Sequence, residues 1–291
     1  MFCGGTRSTE MPSYDVHQHI WPQPVVDVLR GRTRPPRLVR DLLELVEGSF
    51  PVDLGEHDLD ARLALLDRHE IDVAVVSLPP TLGWERHPEL ADAYHAGVLD
   101  LAAASGERLL PLACGTCLEG FAGACVSATA ATGDLGTLPD ELSRAGQVLF
   151  VHPGPPAAAH ASAPPWWAAV VSYTAQMQAA YLAWIADSAE RHPNLHVIFA
   201  ILAGGAPIQL ERLRSRAVEP QTVLHPNVHL EIASYGRRAL ELSLDACGAG
   251  QLLYGSDIPV IDSRPTSNAL SELGAGVRRT IVTENPTRLF A

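Results

Sequence analysis

Tyr14-Asp15-Val16-His17-Gln18-His19 is the stretch on which the reading of the fold turns. It is short, it stops at Ile20-Trp21-Pro22, and it carries two histidines two positions apart. Side chains on a strand alternate, so as a strand it sends His17 and His19 to the same side. Seven further short apolar runs follow at intervals: Ile71–Leu78, Leu109–Ala113, Ala124–Ala128, Gln147–His152, His196–Leu202, Val228–Ile232 and Gln251–Gly255. They are rich in β-branched residues and bounded by Pro or Gly, as buried parallel strands tend to be. Helical stretches separate them. Asp58–His69 opens at an Asp that can cap it, and Leu59, Leu63, Leu65 and Leu66 give it an apolar face. Glu89–Ala104, Pro139–Arg144, Tyr173–Arg191, Pro207–Arg214 and Arg238–Cys247 read the same way. Eight strands alternating with helices predict an α/β fold of the (β/α)8 TIM-barrel type, with residues 14–291 as one domain behind a tail at 1–13. A doubly wound open sheet is the alternative. No G-x-G-x-x-G follows the first strand, which weakens its dinucleotide-binding form.

Composition narrows the chemistry. The 291 residues carry 21 basic and 33 acidic groups, a net charge of −12. That sign argues against a nucleic-acid partner and against an anionic membrane face. All 21 basic residues are arginine, a usage that fits GC-rich coding. Without lysine there is no Schiff base, no pyridoxal phosphate anchor, no P-loop lysine and no carbamylated-lysine metal bridge. The first residues lack the apolar core of a signal peptide, and no run approaches the ~18 apolar residues of a membrane span. Five scattered cysteines suit a reducing compartment, so a cytoplasmic location is expected. Cys114-x-x-Cys117 has no second pair to complete a structural zinc site and reads as ordinary buried thiols.

Three residue groups carry the chemistry. Inside a barrel, His17 and His19 would face the lumen and can share one metal ion, although a lone His-x-His is also an ordinary structural feature. His152 ends the fifth candidate strand in VLFVHPGP, and Asp257 follows the eighth in LLYGSDIP. A barrel gathers those strand ends at one mouth, where three imidazoles and a carboxylate form a site for Zn²⁺ or another first-row divalent ion. Gly31–Pro51 and Gly154–Ser172 interrupt the alternation and would form rim loops there. Trp166 and Trp167 in the second loop are expected to cover the metal side.

On these pieces the chain resembles the amidohydrolase superfamily in its amidohydrolase 2 branch, which includes aminocarboxymuconate semialdehyde decarboxylase. The resemblance runs from Asp15 to Phe290 and rests on DVHQHIWP, GFAGACV, VLFVHPGP, HPNLHVIFA…GGAPIQLERL, LLYGSDIP and ENPTRLF. It implies a distorted (β/α)8 barrel with one metal ion, usually zinc. His17, His19 and His152 would be ligands, and Asp257 a ligand, a proton shuttle or both. It also makes a homodimer common. One position departs. Where the family usually has H-x-G-G at the end of the sixth strand, this chain has Leu202-Ala203-Gly204-Gly205. Leu202 is therefore expected to point into the mouth. Other rim candidates for substrate contact are His160, Tyr235, Arg264 and Trp21. Each also has an ordinary structural reading.

The leading expectation is a hydrolase that uses metal-activated water on a small amide, ester or lactone, with Asp257 handling the proton. Non-oxidative decarboxylation of an aromatic or enoic acid is the second. A barrel that binds a ligand without turnover is the third.

Overall fold

All six side chains of Tyr14–His19 are buried, so this strand (β1) has covered surfaces on both sides. That is the condition of a barrel strand, packed against the lumen on one face and helices on the other. The structure is a computed structural model and describes residues 11–157, 163–218 and 224–291. Three short strands follow, Arg37–Val39 (β2), Leu42–Glu44 (β3) and Ser49–Pro51 (β4). The barrel then continues through Val73–Ser77 (β5), Leu109–Cys114 (β6), Gly123–Ser127 (β7), Val148–His152 (β8), Val197–Phe199 (β9), Val228–Glu231 (β10) and Leu252–Leu253 (β11). Among the described residues the large sheet has eight strands, ordered β1-β5-β6-β7-β8-β9-β10-β11, all neighbours parallel.

The sheet closes on itself. Val16 N–H donates to Tyr254 O, His19 N–H to Ile258 O and Asp257 N–H to His17 O, each at 2.8 Å. A register shift between Asp15 and Gln18 puts an extra residue into β1 opposite β5. Such bulges re-aim side chains next to sites. Helix Leu59–Arg68 begins as its sequence predicts, with the Asp58 side chain accepting from Ala61 N–H. Its Arg62 is fully buried and donates to Gln18 Oε1 at 2.8 Å and to His19 O at 2.9 Å. That guanidinium pins the helix to the end of β1, where two candidate ligands sit.

Two segments differ from expectation. Gly31–Pro51 is not simple loop: a helix, Gln23–Gly31, leads into the small antiparallel sheet β2-β3-β4. Leu38 pairs with Leu43 on its buried side, while the paired Arg37 and Glu44 form an ion bridge at 2.6 Å. Arg40 turns the hairpin in the left-handed region, at φ 56°. The sixth barrel strand also stops early, at Phe199. Residues 201–205 then run left-handed, with φ of 46°, 51°, 48°, 66° and 86°. L-residues pay roughly 1–2 kcal/mol each for that conformation. Gly204 is required there, since a Cβ would lie 2.3 Å from Thr174 O. No helix among the described residues is long and apolar enough to cross a membrane.

Candidate metal centre

The ends of β1, β8 and the segment after β11 bring His17, His19, His152 and Asp257 together, with one ligand atom from each lying within 4.8 Å of the others. The three imidazole rings stand nearly perpendicular in pairs, at 87°, 88° and 83°, with centroids 5.0 to 5.1 Å apart. Each ring is oriented through its Nδ1. His17 faces Glu231 Oε2 at 2.9 Å, His19 faces Ser77 O at 3.1 Å, and His152 faces Pro153 O at 2.8 Å. Carboxylates and carbonyls only accept, so each Nδ1 carries the hydrogen. In the neutral rings the Nε2 lone pairs are thereby turned inward.

That convergence is unfavourable without a cation. His17 Nε2 and His19 Nε2 are 3.3 Å apart, and His19 Nε2 is 3.2 Å from Asp257 Oδ1. Asp257 Oδ1 is buried with no hydrogen-bond partner among the described residues. Buried lone pairs facing one another, plus an orphaned carboxylate oxygen, fit one divalent cation among them. Three imidazoles and a carboxylate are the donor chemistry of such a site, and the acceptors behind the rings are the usual outer support. Asp257 itself sits left-handed at φ 57°, with its N–H held by His17 O.

The charges are strongly coupled. Burial opposes a charge on His17, but Glu231 and Asp257 outweigh it and raise its pKa to about 9. Burial lowers that of His19, and burial with the two neighbouring imidazoles holds His152 well below the ordinary value. Burial also opposes the charge on Asp257, yet His17 and the other two rings keep it below the usual carboxylate range.

The donor set opens onto a cavity of about 630 Å³. Both interrupting segments line it, through Leu43, Glu47 and Phe50 on one side and Pro165, Ala169 and Val170 on the other. Trp21 and Tyr235 also line it. The Trp21 indole stacks on His57, with centroids 4.4 Å apart and planes at 10°. Trp21 N–H in turn donates to His57 Nδ1 at 3.1 Å.

Other candidates lie elsewhere. Leu202 is 2% exposed, packs into the hydrophobic core and is absent from the cavity wall; Ile201 stands on the wall instead. The reason is the left-handed run, which redirects side chains after Phe199. Trp166 is exposed, and neither it nor Trp167 lines the cavity. Arg264 is exposed and paired with Asp262 at 2.7 Å. His160 lies outside the described residues. Cys114 and Cys117 are free thiols.

Sequence reasoning missed Glu231, Glu47 and His57. Glu231 is wholly buried at the end of β10 and gathers three donors: His17 Nδ1 and Ile201 N–H on Oε2, and Ala233 N–H on Oε1. Gly255 makes room for it, because a Cβ there would lie 2.2 Å from Glu231 Oε1 and 2.5 Å from His17 Cβ. An acidic residue inside the apolar run VHLEIA was the available signal.

A family profile described as Amidohydrolase matches residues 14–291. No curated protein matches the chain in sequence. Solved structures share its fold. An amidohydrolase II is 19% identical with a TM-score of 0.76, over 96% of this chain and 99% of its own. The 5-carboxyvanillate decarboxylase of Sphingomonas paucimobilis is 17% identical with a TM-score of 0.72, over 97% and 99%. The 5-carboxyvanillate decarboxylase of Novosphingobium aromaticivorans, complexed with manganese and 4-hydroxy-3-methoxy-5-nitrobenzoic acid, is 15% identical with a TM-score of 0.69, over 99% and 97%.

Proposed function

The chain belongs to the amidohydrolase family, and on that premise we propose that it is a metal-dependent carboxy-lyase, removing CO2 from a small carboxylic acid. The observation that carries this reading is the cavity: one donor set suited to a cation opens onto walls that are largely apolar, with Ile201, just beyond the sixth barrel strand, among them. Hydrolysis asks for polar donors around a developing oxyanion. Decarboxylation instead benefits when a carboxylate leaves water for a fixed, apolar surrounding. The decarboxylase neighbours support the same choice over the hydrolytic reading, which uses the same four side chains.

His17, His19, His152 and Asp257 would hold the ion. It is a first-row divalent metal; the nitrogen-rich donor set suits zinc, and one neighbour carries manganese. When bound, the ion supplies a positive anchor for the substrate carboxylate and for the charge that develops during cleavage. The residues do the rest. Glu231, Ser77 and Pro153 hold the three rings in place. Asp257, on the carboxylate oxygen not committed to the ion, would carry a proton drawn from solvent water. The bond to the carboxyl carbon breaks, its electron pair stays on the remaining carbon, CO2 leaves, and Asp257 passes its proton to that carbon.

The test is a panel of aromatic and enoic monocarboxylic acids given to metal-replete protein in D2O. CO2 release with deuterium at the vacated carbon is expected. Asp257→Asn should cut turnover by at least about 10²-fold while the fold persists. Hydrolysis of amides, esters or lactones without CO2 release from any acid would restore the hydrolytic reading.

A further inference from the structure

Behind the donor set lies a buried polar chain that the proposed reaction does not use. Asp15, Gln18 and Arg62 are each 1% exposed. Arg62 Nη1 donates to Gln18 Oε1 at 2.8 Å, and Gln18 Nε2 donates to Asp15 Oδ2 at 2.7 Å. The other oxygen, Asp15 Oδ1, accepts from Ser256 N–H at 2.9 Å and from His17 N–H at 3.2 Å. At the opposite end, Arg62 Nη2 donates to His19 O at 2.9 Å. In a regular strand residues 15 and 18 face opposite sides. The register shift between them is what lets Asp15 and Gln18 meet.

Three side chains thus hold the backbone of His17, of His19 and of Ser256, the residue before Asp257. Three of the four donors are placed by one network, although two of them come from β1 and the third from the segment after β11. The network also has a fixed direction. A guanidinium only donates and a carboxylate only accepts, so the amide between them has one allowed orientation. Gln18 keeps a buried cation and a buried anion apart while bonding to both. A network of this kind specifies one arrangement when fully satisfied and is costly when partly satisfied.

We propose that Asp15, Gln18 and Arg62 are positioning residues of the metal centre: their relay sets the distance between the His17–His19 pair and Asp257, and with it the geometry and affinity of ion binding. This inference rests on the donor set holding an ion and is independent of the reaction assigned to it.

The direction of the relay supplies the test. Asp15→Asn keeps an oxygen for the two backbone N–H groups but turns an NH2 toward the Gln18 NH2. Rotating the Gln18 amide only moves that clash to Arg62. Gln18→Glu sets two carboxylates against each other. Made together, the two changes satisfy the whole relay again. The amide at position 15 donates to the carboxylate at position 18, which accepts from Arg62, and the backbone donors keep their oxygen.

The experiment loads the whole chain with Co²⁺ or Zn²⁺ and needs no substrate. The visible spectrum of Co²⁺ reports ligand geometry, competition with a chelator reports Zn²⁺ affinity, and urea unfolding of the metal-free protein reports the fold. Each single change should alter the cobalt spectrum and weaken zinc binding about 10- to 100-fold. The double change should restore the spectrum and return the affinity to within about threefold of the unaltered protein. Single variants that lose stability yet keep the unaltered spectrum and affinity overturn the proposal, since a purely structural role predicts that result. So does a double variant that fails to fold, or that folds with the spectrum of either single variant. Where the single variants do not fold, the double variant decides alone. An unaltered protein that binds neither ion overturns the donor set and this inference together. Absence of CO2 release from any acid refutes the proposed reaction and leaves the relay standing.

Discussion

Replacing Glu231 by glutamine tests whether the centre is held from behind. The wild-type carboxylate accepts from three donors: His17 Nδ1 at 2.9 Å, Ile201 N–H at 3.1 Å, and Ala233 N–H. The residue is wholly buried, so water cannot substitute for a lost acceptor. Glutamine keeps one oxygen and turns an NH2 toward at least one of those donors. One unsatisfied buried donor costs about 1–3 kcal/mol of stability. Losing the carboxylate behind a ligating imidazole weakens metal binding about 10- to 100-fold. That range equals about 1.4–2.8 kcal/mol. Two assays separate the effects. Urea unfolding of the metal-free protein reads the first, and titration against a competing chelator reads the second. Both losses are expected together. A metal affinity unchanged within about threefold refutes the positioning role, even if stability falls.

Three further outcomes follow from the same geometry. Ala203→Gly should stabilise the fold by roughly 1 kcal/mol in thermal or urea melts, because Ala203 sits left-handed at φ 48°; a destabilised variant contradicts the strain argument. Leu202→His should cost about 2–4 kcal/mol, since it buries an imidazole in the core. Ile201→His places the ring on the cavity wall and should cost far less, so equal losses from the two variants contradict the assignment of the wall. His57 and His229 have pKa values lowered to about 3, mainly by burial. Both are neutral when folded and take up a proton on unfolding below about pH 6.5. Stability is therefore full above that value and declines as pH falls toward 3, by up to about 1.4 kcal/mol per unit per group. Urea midpoints across that window measure it, and His57→Gln should flatten the slope.

The sequence exposed the strands and the four donors because both depend on local pattern. Short apolar runs mark buried strands, and His17, His19, His152 and Asp257 sit at or just beyond the ends of runs that a barrel gathers at one rim. What stayed hidden depends on contacts between distant segments. Nothing near Glu231 in sequence reveals that His17 is its partner. The displacement of Leu202 comes from three left-handed L-residues, a state that propensity forbids and tertiary packing imposes; the Gly204-Gly205 pair was the one local sign. The β2–β4 sheet turns on Arg40 in the same rare conformation, so no Asn-Gly or Gly pair announced it. Trp166 read as a lid because exposed tryptophan is uncommon, yet here it is exposed.

The hydrogen bonds that close the barrel join the first strand to residues near the opposite end of the chain, and β11 contributes only two residues of ladder. His17 and His19 lie on one bank of that seam and Asp257 on the other. An ion held by all three is a cross-link between segments separated by nearly the full chain length, and such links gain from the large entropy of the loop they close. The contacts it fastens are among the most non-local in the molecule, and contacts of that kind are expected to form late, so the ion is expected to act on escape from the native state rather than on its formation. Its removal shortens the lifetime of the folded barrel while leaving the rate of folding nearly as it was.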